Sequence, residues 1–104
     1  MNIRVLACEP CHEPEERMLP EAVDAVTAFV NGWFEVIGLG EQLLLYCHEN
    51  PKDIPFNRMV RGRPVFGNFL ISKLGTDGKR SDLSDQEMAT LVSELIVPTR
   101  NDTN

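Results

Sequence analysis

In the first third of the chain, the spacing of hydrophobic and polar positions changes from that of a strand to that of a helix. Residues 3–8 are mostly apolar and predict a short strand, whereas residues 9–16 are polar, contain two prolines and predict a loop. A helix is predicted next, because Pro20 suits a first helical position and an apolar stripe follows at helical spacing to Val30. The pair Asn31 and Gly32 predicts the end of that helix.

The middle of the chain has the pattern of strands. Residues 33–37 and 42–48 predict a hairpin joined at residues 38–41, and the second strand is apolar on both faces, so it should be central and covered on both sides. Residues 56–63 are ambiguous and fit one helical turn and a bend. Residues 65–74 predict a further strand, in which Gly67 indicates a bulge or a close backbone approach.

The second helix has the clearest start signal. Ser84 is placed as its N-cap, Glu87 completes a capping box, and Leu83 and Met88 are spaced as a hydrophobic staple. Apolar residues then recur at helical spacing until Pro98, which should stop the helix.

Two helices and about four strands predict an α+β fold with one mixed or antiparallel sheet. We expect a single domain over residues 1–98 and a frayed tail over residues 99–104. If both helices pack on one face of the sheet, a second subunit must cover the other face. A homo-oligomer is therefore expected.

Charge and apolar run length limit the classes of function. The 104 residues carry a net charge of −6, and the excess acid lies within residues 1–52, so non-specific nucleic-acid binding is not expected. Every apolar run is far shorter than the roughly 20 residues that cross a bilayer, and Arg4 interrupts the start. We expect a cytoplasmic protein with no membrane contact, whose three cysteines are reduced.

Cys8, Cys11 and His12 match the C-x-x-C-H pattern by which c-type haem is attached. Haem attachment requires export, for which the sequence shows no signal. Zinc could use these residues with Cys47 or His48, but only one half has ligand spacing, and adjacent strand residues point to opposite faces. We expect no metal, haem or other cofactor, with Cys8 and Cys47 in the core; a small zinc-binding protein is the minor alternative.

Three arginines without an intervening acid indicate an anion-facing patch in the second half of the chain. A guanidinium suits phosphate or carboxylate, and neighbouring aromatic rings can stack on a ligand. The predicted ligand-binding residues are Phe56, Asn57, Arg58, Arg61, Arg63, Phe66 and Asn68. Two alternatives remain open: Asn57 caps the turn while Arg58 ties the loop to a carboxylate, or the segment contacts a protein.

No motif indicates catalysis, since the chain has no phosphate-binding glycine loop, no H-E-x-x-H and no nucleophile elbow. Ser81 and Ser84 are explained as turn and cap residues. We expect a protein that is not an enzyme and has no catalytic residues.

The order of several short motifs resembles a family of small proteins of unknown function encoded by bacteriophages and other bacterial mobile elements. The likeness covers residues 3–91, and the matching pieces are Glu9-Pro10, Asn31-Gly32, residues 33–37, Cys47 with Glu49-Asn50, residues 55–58, residues 67–71 and residues 83–86. Family members usually lack cysteine and histidine at Cys11 and His12. The resemblance implies a small cytosolic protein made by a phage or plasmid inside a bacterium, and it supplies no catalytic residues.

Two classes of function remain. The first is a non-enzymatic accessory protein that binds and sequesters a small anionic ligand, such as a nucleotide, to counter host defence signalling. The second is an acidic interaction module that inhibits a host protein through Glu9, Glu13, Glu15 and Glu16.

Overall fold

A computed structural model of the protein describes residues 2–96 and contains two helices, α1 (Val23–Val30) and α2 (Asp85–Glu94). Within these residues there are eight strands: β1 (Asn2–Cys8), β2 (Glu15–Pro20), β3 (Phe34–Gly40), β4 (Leu43–His48), β5 (Phe56–Val60), β6 (Arg63–Phe66), β7 (Phe69–Leu74) and β8 (Arg80–Ser81). The α+β class is confirmed, but the expected number of about four strands is wrong. Pro98 and the tail over residues 99–104 lie outside the described residues.

One antiparallel sheet forms the centre of the molecule. Its strands run in the order β2-β1-β7-β4-β3, β8 pairs with β7, and β5 and β6 form a separate two-stranded sheet. The interior strand β4 buries Leu43 and Leu45 on one face and Tyr46 on the other. This confirms the prediction of a central strand that is covered on both sides.

Two hydrophobic layers cover the two faces of the sheet. Leu45 and Ile71 pack in one cluster with Leu91 of α2 and Val60 of the β5–β6 hairpin. Leu70 points to the other cluster, which belongs to the α1 side. The helices therefore lie on opposite faces, so a second subunit is not needed to cover a bare one.

The largest correction in the first half of the chain concerns β2. Pro20 ends this strand instead of opening a helix, and α1 begins only at Val23. Six residues of β1, from Asn2 to Ala7, pair with β2. An edge strand tolerates a terminal proline, because no ladder hydrogen bond is needed on its outer side.

Residues 56–63 are not helical. They form the β5–β6 hairpin, whose two turn residues, Arg61 and Gly62, have φ of 47° and 84°. The β3–β4 turn is similarly short, with Glu41 and Gln42 at φ of 57° and 64°. Two-residue hairpin turns need positive φ, which Asn or Gly usually adopts. Because arginine, glutamate and glutamine occupy most of these positions here, the sequence pattern that predicts a hairpin turn is missing.

The predicted start of α2 is confirmed. The Glu87 N–H donates to Ser84 Oγ at 3.1 Å, and the Ser84 N–H donates to Glu87 Oε1 at 2.9 Å. Leu83 and Met88 are both buried beside them in the α2-side core. A hydrogen bond from Lys73, with help from the Ser84 N–H, holds the pKa of Glu87 below its ordinary value.

The end of α1 also follows the prediction. Asn31 adopts a left-handed conformation with φ of 64°, and the Gly32 N–H donates to the Thr27 carbonyl at 3.0 Å. Among residues 2–96, neither helix has the length and apolar character needed to span a bilayer.

We predict that Ser84→Ala lowers the free energy of unfolding by about 1 kcal/mol, because it removes the side-chain acceptor of the capping box. Urea denaturation measures the change. Ser93→Ala is the matched control, since Ser93 Oγ donates only to the Thr90 carbonyl of its own helix and should matter little. Equal losses for the two variants would contradict the capping role.

Candidate ligand-binding site

The predicted ligand-binding residues lie in or next to the β5–β6 hairpin, but the structure distributes them over different environments. Asn57 and Arg58 are 3% and 1% exposed and point into the core. Arg61 stands at the hairpin turn, and Arg63 lies on β6. The three guanidinium groups therefore do not converge on one position.

Arg58 is a buried cation whose hydrogen-bond acceptors are mostly backbone carbonyls. Its Nε donates to Asn57 Oδ1 at 2.7 Å, and its Nη2 donates to the carbonyls of Glu9, at 3.0 Å, and His12. Its Nη1 donates to the carbonyl of Leu95 at the end of α2. Among the described residues the partners of Arg58 are thus carbonyl oxygens and not a carboxylate.

Asn57 completes this buried network. Its Nδ2 donates to the Gly67 carbonyl at 2.7 Å and to the Cys8 carbonyl at 3.2 Å. A register shift between Phe56 and Arg58 allows Asn57 and its neighbour to be buried together. A ligand could reach either side chain only by breaking hydrogen bonds that hold the fold.

Arg61 joins the hairpin turn to α2 and to the β3–β4 turn. It donates to both carboxylate oxygens of Glu94, at 3.1 and 3.2 Å, and to Glu41 at 3.1 Å. It lines a cleft of about 310 Å³, in which Lys73 is paired with Glu87. Every cation of this cleft already has an acidic partner.

Arg63 differs from the other two arginines. Within residues 2–96 its guanidinium makes no hydrogen bond or ion pair, and the residue lines a cleft of about 140 Å³ together with Glu35, Cys47 and Phe66. Burial raises the pKa of the Cys47 thiol, Glu35 raises it further, and Arg63 opposes both effects. Arg63 and Glu35 therefore both lie close enough to Cys47 to influence its thiol.

His48 connects this cleft to a second, more open one of about 540 Å³, which contains Asn68 and Lys52. The Asn50 N–H donates to His48 Nδ1 at 3.0 Å, so the neutral ring carries its proton on Nε2. A Cβ on Gly32 would lie 2.5 Å from that Nε2, so a larger residue at this position would have to displace the ring.

Two aromatic residues lie at the smaller cleft, which is lined by the hairpin and by Pro51 of the loop of residues 49–55. Phe66 lines the smaller cleft, and Phe56 contacts it edge to face with ring centroids 5.6 Å apart. Four predicted residues, Phe56, Arg63, Phe66 and Asn68, thus lie at or beside the paired clefts. Sequence reasoning missed Glu35, Lys52 and the position of His48, since they lie on β3, in the loop after β4 and at the end of β4, away in sequence from the arginines.

A comparison with protein families covers nearly all of the described chain. The family model for a domain of unknown function, DUF3846, matches residues 3–96. The chain belongs to the DUF3846 family. No curated protein and no solved structure matched it. The resemblance to a family of unknown function is therefore confirmed.

The cysteines of this DUF3846 domain occupy unlike environments. Cys8 and Cys47 are buried, whereas Cys11 is exposed. Burial raises the pKa of the Cys8 thiol to about 12, although nearby Arg58 lowers it somewhat. In the part of the chain that the structure describes, no three His, Cys, Asp or Glu side chains are grouped to hold a metal ion.

We predict that a thiol reagent modifies Cys11 rapidly in the folded protein at pH 8, while Cys8 and Cys47 react only after unfolding. The reactive species is the thiolate, and burial both raises the pKa of those two thiols and blocks access. Spectrophotometric thiol titration with and without denaturant measures this. Cys11→Ser should remove the fast phase; a fast phase that survives in this variant would contradict the burial of Cys8 and Cys47.

Proposed function

We propose that this DUF3846 domain is a non-enzymatic binding protein whose Arg63 cleft takes the anionic group of a small ligand of the nucleotide class. One observation carries the proposal: of the three clustered arginines, Arg63 alone has its donors uncommitted within residues 2–96 and lines a cleft. Arg58 and Arg61 use theirs to hold the fold together.

The size of the clefts supports a particular mode of binding. A cleft of about 140 Å³ is below the roughly 300 Å³ typical of whole-ligand sites, so it suits one phosphate or carboxylate group. The remainder of a nucleotide would extend past His48 into the larger cleft, where Asn68 and Lys52 provide polar groups. Phe66 supplies an aromatic ring to the smaller cleft.

Glu35 sets the electrostatic condition for binding. It opposes the approach of an anion to Arg63, because the cleft has one acid and one arginine and is neutral overall. An anion that binds here must compete with Glu35 for the positive charge of Arg63. Replacing Glu35 by glutamine would then strengthen binding, as the competing charge is lost.

The biological setting that we propose follows from the resemblance to mobile-element proteins. A protein that sequesters a nucleotide needs only affinity and no catalytic group. Such a protein, made in a bacterial cytoplasm by a phage or plasmid, would lower the concentration of a host signalling nucleotide and so blunt a defence response.

A specific observation also favours the second candidate, an acidic interaction module that inhibits a host protein. On the outer side of the β5–β6 hairpin, Met59 is 51% exposed, and Phe56 and Pro64 are exposed beside it. Exposed apolar residues on an otherwise acidic protein are typical of a surface that meets a partner. Such a partner would contact the hairpin in addition to the acidic face of Glu9, Glu13, Glu15 and Glu16.

We predict that Arg63→Ala weakens nucleotide binding roughly ten- to a hundred-fold, because a hydrogen bond between charged groups is worth about 1.5 to 3 kcal/mol. Isothermal titration calorimetry with a panel of linear and cyclic nucleotides measures this. Arg61→Ala is the control, since its partners are Glu41 and Glu94, and it should leave affinity unchanged.

Two results would contradict the proposal. One is the absence of heat from every nucleotide; the other is an equal loss of affinity in the Arg61 and Arg63 variants. If nucleotides give no heat but a bacterial protein is retained by the domain and released by Met59→Glu, the interaction module is the better account.

A further inference from the structure

Strand β3 leaves one edge of the central sheet open. The Glu49 N–H donates to the Trp33 carbonyl at 3.0 Å, which marks these opposed residues as a hydrogen-bonded pair. Such pairs alternate along an antiparallel ladder, so the N–H and C=O groups of Phe34, Val36 and Gly38 point away from β4. Within residues 2–96, no strand pairs with this side of β3.

The two edges of the sheet differ in their protection against pairing. Edge strands are commonly shielded by charged residues or by proline. At the β2 edge such residues are abundant: Glu15, Glu16, Arg17 and Pro20. From Phe34 to Gly38 the β3 edge has Glu35 as its one charged residue and no proline, Val36 is half exposed, and the preceding Trp33 is 70% exposed.

We infer that the β3 edge pairs with β3 of a second copy of this chain, antiparallel and about a two-fold axis at Val36. The register follows from the outward-pointing backbone groups. Val36 then lies opposite its own copy, Phe34 opposite Gly38, and Glu35 opposite Ile37. No like charges are directly opposed, and each outward N–H meets a carbonyl.

The irregular end of β3 limits how far this pairing extends. The ladder between β3 and β4 shifts its register between Gly38 and Gly40. A bulge interrupts pairing and twists the strand, so the regular segment available to a second copy ends at Gly38. The side chains of Trp33 and Val36 must supply much of the remaining contact.

Net charge of −6 on each copy opposes association, but the distribution of charge reduces that cost. The acids Glu15 and Glu16 lie on β2, at the far edge of the sheet. Four inter-strand spacings place them about 19 Å from β3, well beyond the screening length of about 8 Å in physiological salt. Pairing through β3 keeps the two β2 edges on the outside of the dimer.

The pairing also determines where the two Arg63 clefts lie. Glu35 and Ile37 line that cleft and belong to β3. Because opposed residues in a sheet share a face, the two clefts of a dimer open on the same side of the sheet. They lie on either side of the dimer interface. Dimerisation through β3 does not require a ligand in either cleft.

Sedimentation equilibrium of the full chain between about 10 μM and about 1 mM tests the inference, since interfaces below about 1,200 Å² associate weakly. We expect the mass to rise from one chain to two. Val36→Lys places two cations on the axis and should raise the dissociation constant at least tenfold. Val36→Pro, which removes an outward N–H without removing a bond to β4, should act likewise.

Met18→Lys is the matched control, because Met18 and Val36 are 50% and 49% exposed and lie on opposite edges of the sheet. It should leave dimerisation unchanged. A wild-type chain that stays monomeric throughout would overturn the inference. So would a dimer that tolerates both Val36 variants, or one that Met18→Lys weakens as much as Val36→Lys does.

Discussion

The buried guanidinium of Arg58 is the interaction on which the rest of the structure depends. It joins the loop after β1, through the carbonyls of Glu9 and His12, to the end of α2, through the carbonyl of Leu95. A desolvated charge is costly unless its donors are satisfied, and carbonyl oxygens provide that here. The carbonyl end of α2 is also where the helix dipole favours a cation.

This anchoring determines where a ligand-binding surface can exist. With Asn57 and Arg58 holding its base and Arg61 holding its turn, the β5–β6 hairpin is fixed over one face of the sheet. Arg63 then lines the small cleft together with Glu35 of β3. Both proposals, the Arg63 cleft and pairing through the β3 edge, therefore concern the same side of the molecule.

Local chemistry made some elements predictable from the sequence, including the Ser84 cap, the end of α1 at Asn31 and the central position of β4. Strand β2 and the β5–β6 hairpin were missed, since Pro20 resembles a helix start and Arg61 adopts a conformation that usually requires glycine. The candidate site was found in part. Arginines are rarely buried, so three of them within residues 58–63 suggest one surface patch, whereas strand alternation and a bulge direct them to separate environments.

The unfolding free energy of Arg58→Lys is the most direct test of this account. Lysine keeps the charge but has no planar fork, so it cannot satisfy Asn57 Oδ1 and the three carbonyls together. We predict a loss of at least about 3 kcal/mol in urea denaturation, as for other broken buried polar networks, and under about 0.5 kcal/mol for the exposed Arg63→Lys control. A loss below about 1 kcal/mol for Arg58→Lys would contradict the central role of this guanidinium.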